Sequence, residues 1–141
     1  MPNPNKVVKN TVKLQKLAGG LREHLEMFNR AVAERVSEKA KNKFNTGPDG
    51  RTYMHGNVMH VASSPGNPPN SDTGQLRASI HVERISEFEQ IVADGVDYGI
   101  HLEKGTPNIA TRPFIAPAVE DVKKEIPAAA KEYGLIVRLV K

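Results

Sequence analysis

Leu21, Leu25, Phe28, Val32, Val36 and Ala40 recur at intervals of four and three, the spacing of a single stripe along an α-helix. Glu23, Glu26, Arg30, Glu34, Arg35, Lys39, Lys41 and Lys43 take most of the remaining positions, with acidic groups early and lysines late, as a helix dipole favours. This pattern predicts a helix from Leu21 to Phe44, a rod of roughly 36 Å at about 1.5 Å per residue. Upstream, Gly19-Gly20 predicts a break. Val12, Leu14 and Leu17, separated by Lys13, Gln15 and Lys16, fit either a short edge strand or an amphipathic helical turn, and the strand is the preferred reading. Residues 1–10 read as a flexible amino-terminal arm and residues 11–141 as a single domain.

Between Asn45 and Gly74 the periodicity lapses, and five Gly and four Pro fall there. Prolines this dense fix an extended backbone that cannot be helical, so 45–75 is expected to be one long loop, with at most a short strand around Val58, Met59 and Val61. Alternation returns at Leu76, Ala78, Ile80 and Val82, which predicts a half-buried strand. A second strand is predicted at Gln90–Ala93, followed by Asp94-Gly95 as a hairpin turn. Val96, Tyr98, Ile100 and Leu102 alternate too, but Tyr98, His101 and Leu102 also fit one helical turn, and both readings stand. Pro117 suits the first turn of a helix with the stripe Val119, Val122, Ile126, Ala130 and Tyr133. Pro127 should kink or split it, Gly134 should end it, and Leu135–Val140 reads as a closing strand. The predicted class is α+β: a long amino-terminal helix and a carboxy-terminal helix packed on one face of a small, mainly antiparallel sheet.

The composition narrows the function. A chain of 141 residues with aromatics at 5% supports one domain, too small for a large enzyme cleft with walls of its own. It has no cysteine, which excludes disulfide scaffolds, thiol nucleophiles and thiolate zinc sites. No apolar run is long enough to span a bilayer and no signal-like stretch opens the chain, so a soluble product without membrane contact is expected. The net charge of +4 is unevenly placed. Residues 1–44 carry ten basic and four acidic side chains, a local +6, and residues 45–141 carry ten basic and twelve acidic, a local −2. Such a dipolar chain suits docking of one copy on another, or of its basic half on an acidic partner.

Candidate chemistry is sparse. His55, His60 and His101 would make a metal site only if the loop folded back on the sheet, and no His pair has the helical His-x-x-x-His spacing. Ser63, Ser64, Ser71 and Ser79 lie in no nucleophile elbow, and Gly47-Pro48-Asp49-Gly50 lacks the Gly-Lys-Ser/Thr end of a phosphate-binding loop. Asp94, Asp97 and Glu103 read as a solvated edge rather than a carboxylate pair. No catalytic set, metal or cofactor is expected. Lys6, Lys9, Lys13 and Lys16 could line phosphates without sequence readout, since no aromatic is interleaved to stack bases.

Three stretches carry a family resemblance. Ser64-Pro65-Gly66-Asn67-Pro68-Pro69, followed by Asp72-Thr73-Gly74-Gln75-Leu76-Arg77-Ala78-Ser79-Ile80, resembles a Pro-Gly-x-Pro-Pro…Thr-Gly-x-Leu-x-x-Ser-Ile signature. Tyr98 to Thr106 resembles Tyr-Ala-x-x-x-Glu-x-Gly-Thr, with Gly99 in place of Ala and Lys104 where an apolar residue is common. Arg112-Pro113-Phe114-Ile115-Ala116-Pro117-Ala118 resembles Arg-Pro-Phe-x-x-Pro-Ala. Together, over residues 20–135, these resemble the tail-component family of long-tailed bacteriophages, the tail-completion and neck proteins that include the lambda Z-like group. The resemblance implies a structural virion protein without enzymatic activity, made in the host cytoplasm, which joins tail to head as a ring of six copies. Its implied partners are its own copies and other neck and tail proteins such as the tail terminator, the tail tube or the head-closure protein, with nonspecific DNA contact in the lumen. Interface candidates are then Pro65, Gly66, Pro68, Pro69, Thr73, Gly74, Glu103, Gly105, Thr106, Arg112, Pro113 and Phe114. Arg112 on its rigid Pro-Phe segment suits a carboxylate, with Glu103 the natural candidate, either across a subunit boundary or within one chain. The alternative reading is a small basic nucleic-acid-binding domain, and a further rival is a hydrolase that holds a metal through the histidines.

Overall fold

A computed structural model of the protein describes residues 4–46 and 49–135, with side chains for 19–46 and 50–135. The expected α+β class holds, with four helices and two antiparallel hairpins among the described residues. Helix α1 spans Pro4–Asn42, 39 residues, about 58 Å at 1.5 Å per residue. The strand expected at 11–17 and the break expected at Gly19-Gly20 are therefore both replaced by helix, as is the arm from Pro4 onward. A helical Gly costs about 1 kcal/mol against Ala but does not forbid the conformation, and no competing turn bond forms at this pair. Pro4 sits at the first position, where a missing N–H costs nothing. At the other end Lys43 N donates to the Lys39 and Ala40 carbonyls, and Asn45 adopts φ 62° to turn the chain away.

The expected long loop contains a hairpin. Strand β1 (Asp49–His55) pairs antiparallel with β2 (Val58–Ser63) through a two-residue connection whose Gly56 takes φ 60°. Next comes a short helix, α2 (Gln75–Ser79), where a strand was expected from Leu76. Leu76 and Ile80 are buried while Ala78 is exposed, so the spacing of four prevails over the spacing of two. Only then does strand β3 (His81–Arg84) run, paired with β4 (Gln90–Ala93) as expected. Their connection is Ile85–Glu89, closed by Ile85 and Ser86 amides on the Glu89 carbonyl. Asp94-Gly95 is not the hairpin turn: it leads out of β4, with Val96 N bonded to Asp94 Oδ1. The ambiguous Tyr98 segment is helical, α3 (Gly99–Lys104). At Gly99 a Cβ would meet the Asp94 carboxylate, so a larger residue there needs that side chain to swing aside.

Helix α4 (Ile115–Glu132) continues through Pro127, whose ring lies on the exposed side, instead of splitting there. It ends as expected at Gly134 (φ 70°), with Leu135 N bonded to Ala130 O and Gly134 N to Lys131 O. The closing strand expected at 135–140 lies outside the described residues beyond Leu135. The core joins Val36, Ala40 and Phe44 of and after α1 to Leu76, Ile80, Phe114, Ala118 and Val122, with Phe44 and Phe114 edge-on at 5.4 Å. Instead of two helices on one sheet, α1 packs against α4 and β3–β4, and β1–β2 forms a separate ribbon. Among the described residues, no helix is long and apolar enough to cross a membrane.

Candidate functional site

The three motif segments meet in space. Gly66 N donates to Thr111 O (2.7 Å), which joins the Pro-Gly loop to the approach of the Arg-Pro-Phe segment. Arg112 N donates to Leu102 O (2.6 Å), which joins that segment to α3. Arg112 Nε reaches the Ser63 carbonyl at 3.2 Å and one terminal nitrogen reaches Ala110 O at 3.3 Å, so its guanidinium braces backbone at the foot of β2.

Glu103 is not the partner of Arg112. Its carboxylate accepts from the amides of Phe114 (2.8 Å), Ile115 (3.0 Å) and Ala116 (2.7 Å), the first donors of α4. Phe114, at the cap position, has no capping side chain of its own, and Pro117 three residues later has no N–H to satisfy. One remote carboxylate thus serves the whole helix start, with its charge at the positive end of the dipole. The choice between neighbour and own chain for Glu103 and Arg112 resolves into separate intrachain roles for each.

Around this junction opens a cleft of about 540 Å³, lined among others by Phe44, Tyr53, His55, His60, Pro69, Asp72, Thr73, Gly74, Leu76, Tyr98, Leu102 and Arg112. Four of the expected interface residues line it: Pro69, Thr73, Gly74 and Arg112. Pro69 is buried and its carbonyl accepts from Asn45 N (3.2 Å); Gly74 takes φ 80° to start α2; Thr73 is exposed. Pro65 and Gly66 are exposed outside the cleft, and Pro68 and Pro113 are half-buried. Gly105 (φ 75°) and Thr106 form the turn after α3, where Thr106 pairs with Ile109. Phe114 is fully buried in the core, so it is not available to a neighbour.

Sequence reasoning singled out His55 and His60 but not the Asp72 and Tyr53 side chains that join them in the polar wall of the cleft. Asp72 Oδ2 lies 2.5 Å from His55 Nδ1, its Oδ1 is 3.9 Å from His60 Nδ1, and His60 stacks edge-on against Tyr53 at 5.0 Å. Burial, then the charge of Asp72, holds the Tyr53 hydroxyl above its ordinary range, with Arg112 acting in the opposite sense. The cross-strand pairing Tyr53↔His60 places both rings on one face, a signal readable only once the hairpin is known. His101 does not join His55 and His60 at the cleft, and among the described residues no cluster of three His, Asp or Glu is placed to hold a metal.

Beyond the cleft, β1–β2 projects with an apolar tip: Met54, Val58 and Met59 are 62%, 68% and 69% exposed. Its foot is held by Arg112 on Ser63 O and by Asn70 Nδ2 on Val61 O (3.1 Å). Gly50 lies so close to β2 that a Cβ would sit 2.8 Å from Ser63 O. Compared with protein-family models, curated proteins and solved structures, the chain has no match in any of the three.

Proposed function

We propose that this chain is a structural, non-enzymatic virion protein of a tailed bacteriophage, acting at the head–tail junction as one subunit of a tail-completion or neck ring. The reading rests on the resemblance of the three motif segments, and the observation that carries it is the ribbon they support. An exposed two-stranded hairpin is marginal by itself. Here its foot is braced by Arg112 and Asn70 while Met54, Val58 and Met59 stand in solvent at the tip. Apolar tips of this kind are covered by partners. In a ring, each ribbon would lie on the next copy, and closure by rotation would fix the copy number, six by the resemblance.

Native mass spectrometry and electron microscopy of the purified chain test this. A closed ring is expected for the wild type, and monomers for the Met54→Lys, Met59→Lys double variant, whose substitutions lie in solvent and leave the fold intact. A wild-type chain that stays monomeric at tens of micromolar, or that binds DNA tightly as a monomer at moderate salt, would overturn the proposal.

A further inference from the structure

The β1–β2 ribbon has two unlike faces. Tyr53 and His60 are cross-strand partners and line the cleft, as do His55 and Ala62. Side chains alternate along a strand, so the next cross-strand pair, Met54 and Met59, projects from the opposite face. Both methionines stand in solvent. The copy that carries them cannot place them in its own cleft, because its own ribbon lies between.

The cleft suits an apolar guest better than a charged one. Its charged groups already have partners within the chain: Arg112 on the Ser63 and Ala110 carbonyls, Arg77 on the Lys41 carbonyl (3.0 Å) and Asp72 on His55. An incoming charge would compete with these contacts and lose its own water. The apolar lining has no such prior claim. Phe44 and Leu76 are buried at the cleft, and Leu102 and the exposed ring of Tyr98 join them. Methionine, with a flexible stem and a polarisable sulfur, packs well on aromatic rings of this kind. The volume of about 540 Å³ falls among the roughly 300–1,000 Å³ of sites that enclose a ligand.

One molecule thus carries an apolar knob and a cleft of matching chemistry on opposite faces of one ribbon. A knob and a pocket at different places on the same chain make a head-to-tail contact, which repeats from copy to copy until rotation closes it. We propose that Met54 and Met59 of one copy insert into the cleft of the next, against Phe44, Leu76 and Tyr98, so that each cleft is completed by a neighbour's ribbon. The proposal rests on the ring reading and names the receptor surface within it.

The chain has no cysteine, so introduced thiols report without background. Full chains carrying Met59→Cys are mixed with isotope-labelled full chains carrying Gln75→Cys, an exposed position at the cleft, and the assembled mixture is treated with a short thiol crosslinker. Mass spectrometry is expected to find labelled chains joined to unlabelled ones. A control partner carrying Lys131→Cys, exposed at the end of α4 and away from the cleft, should give roughly tenfold fewer crosslinks, since only proximity raises the effective concentration. Assembly without tip-to-cleft crosslinks, equal reaction of the control, or Met59→Cys chains joined to one another instead would overturn the proposal and leave the ring reading standing. A mixture that never assembles removes both. Amide exchange gives a second readout. At residues 98–102 it should be roughly tenfold slower in the wild-type ring than in the Met54→Lys, Met59→Lys variant. Equal exchange there, or a variant that still forms the ring, would also overturn the proposal.

Discussion

Glu103 shows how much a single side chain can fix. Three amides at the start of α4 share its carboxylate, two of them partly buried, and no nearer group replaces it. Glu103→Ala should lower stability by about 2–3 kcal/mol, since charged hydrogen bonds are lost and their donors stranded. Glu103→Gln, which keeps one acceptor oxygen, should cost about 1 kcal/mol. Thermal or urea unfolding of the two variants checks the order, and equal stability of Ala and wild type would refute the capping role. The importance of Glu103 and Arg112 was legible in the motifs, but their roles were not. Opposite charges nine residues apart suggest a pair, whereas the selectivity came from geometry: a helix start without a cap of its own drew the carboxylate, and the foot of β2 drew the guanidinium. The contact of Asp72 with His55 lay hidden for a similar reason, since it spans seventeen positions and depends on the hairpin.

Among the elements, the two helices with long apolar stripes were legible, because each buries a face against the other and the pattern records it. The β1–β2 ribbon was not. Its sequence shares the segment with dense Gly and Pro, and β1 is exposed along its described length, so burial imprints no alternation on it. What specifies the ribbon is backbone: Gly56 at positive φ in the connection, and Gly50 packed against β2. Gly50→Ala would press a methyl group into the Ser63 and Ala62 carbonyls. It should destabilise the ribbon by roughly 1–3 kcal/mol, seen as faster amide exchange across β1 and β2 with little change in α1 or α4. Uniform loss of protection across the whole chain would mean instead that the ribbon is integral to the core. Leu76–Ile80 was misread because spacings of two and four coincide at those residues, and only the exposure of Ala78 separates them.

At the scale of the whole molecule, charge is segregated along the chain, with +6 in residues 1–44 and −2 in residues 45–141. Within one copy part of this is used up by ion pairs between α1 and α4. Surface pairs of this kind contribute little each. If copies dock basic half to acidic half in the proposed ring, raising the salt from about 0.05 M to about 0.5 M should dissociate it, because screening shortens the reach of such fields severalfold. Light scattering across the salt series measures this, and a ring indifferent to salt would leave the ribbon's apolar tip as the adhesive. The α+β class was legible at this scale, whereas the division into two separate hairpins was not, since nothing in strand periodicity says which strands share a sheet. The Glu103 clasp also links two elements mechanically. The amides that open α4 find their protein acceptor at the end of α3, so whatever displaces α3 also releases the first turn of α4 to water. The segment bearing the Tyr98-to-Thr106 motif and the helix that seals the core are thereby tied to move together.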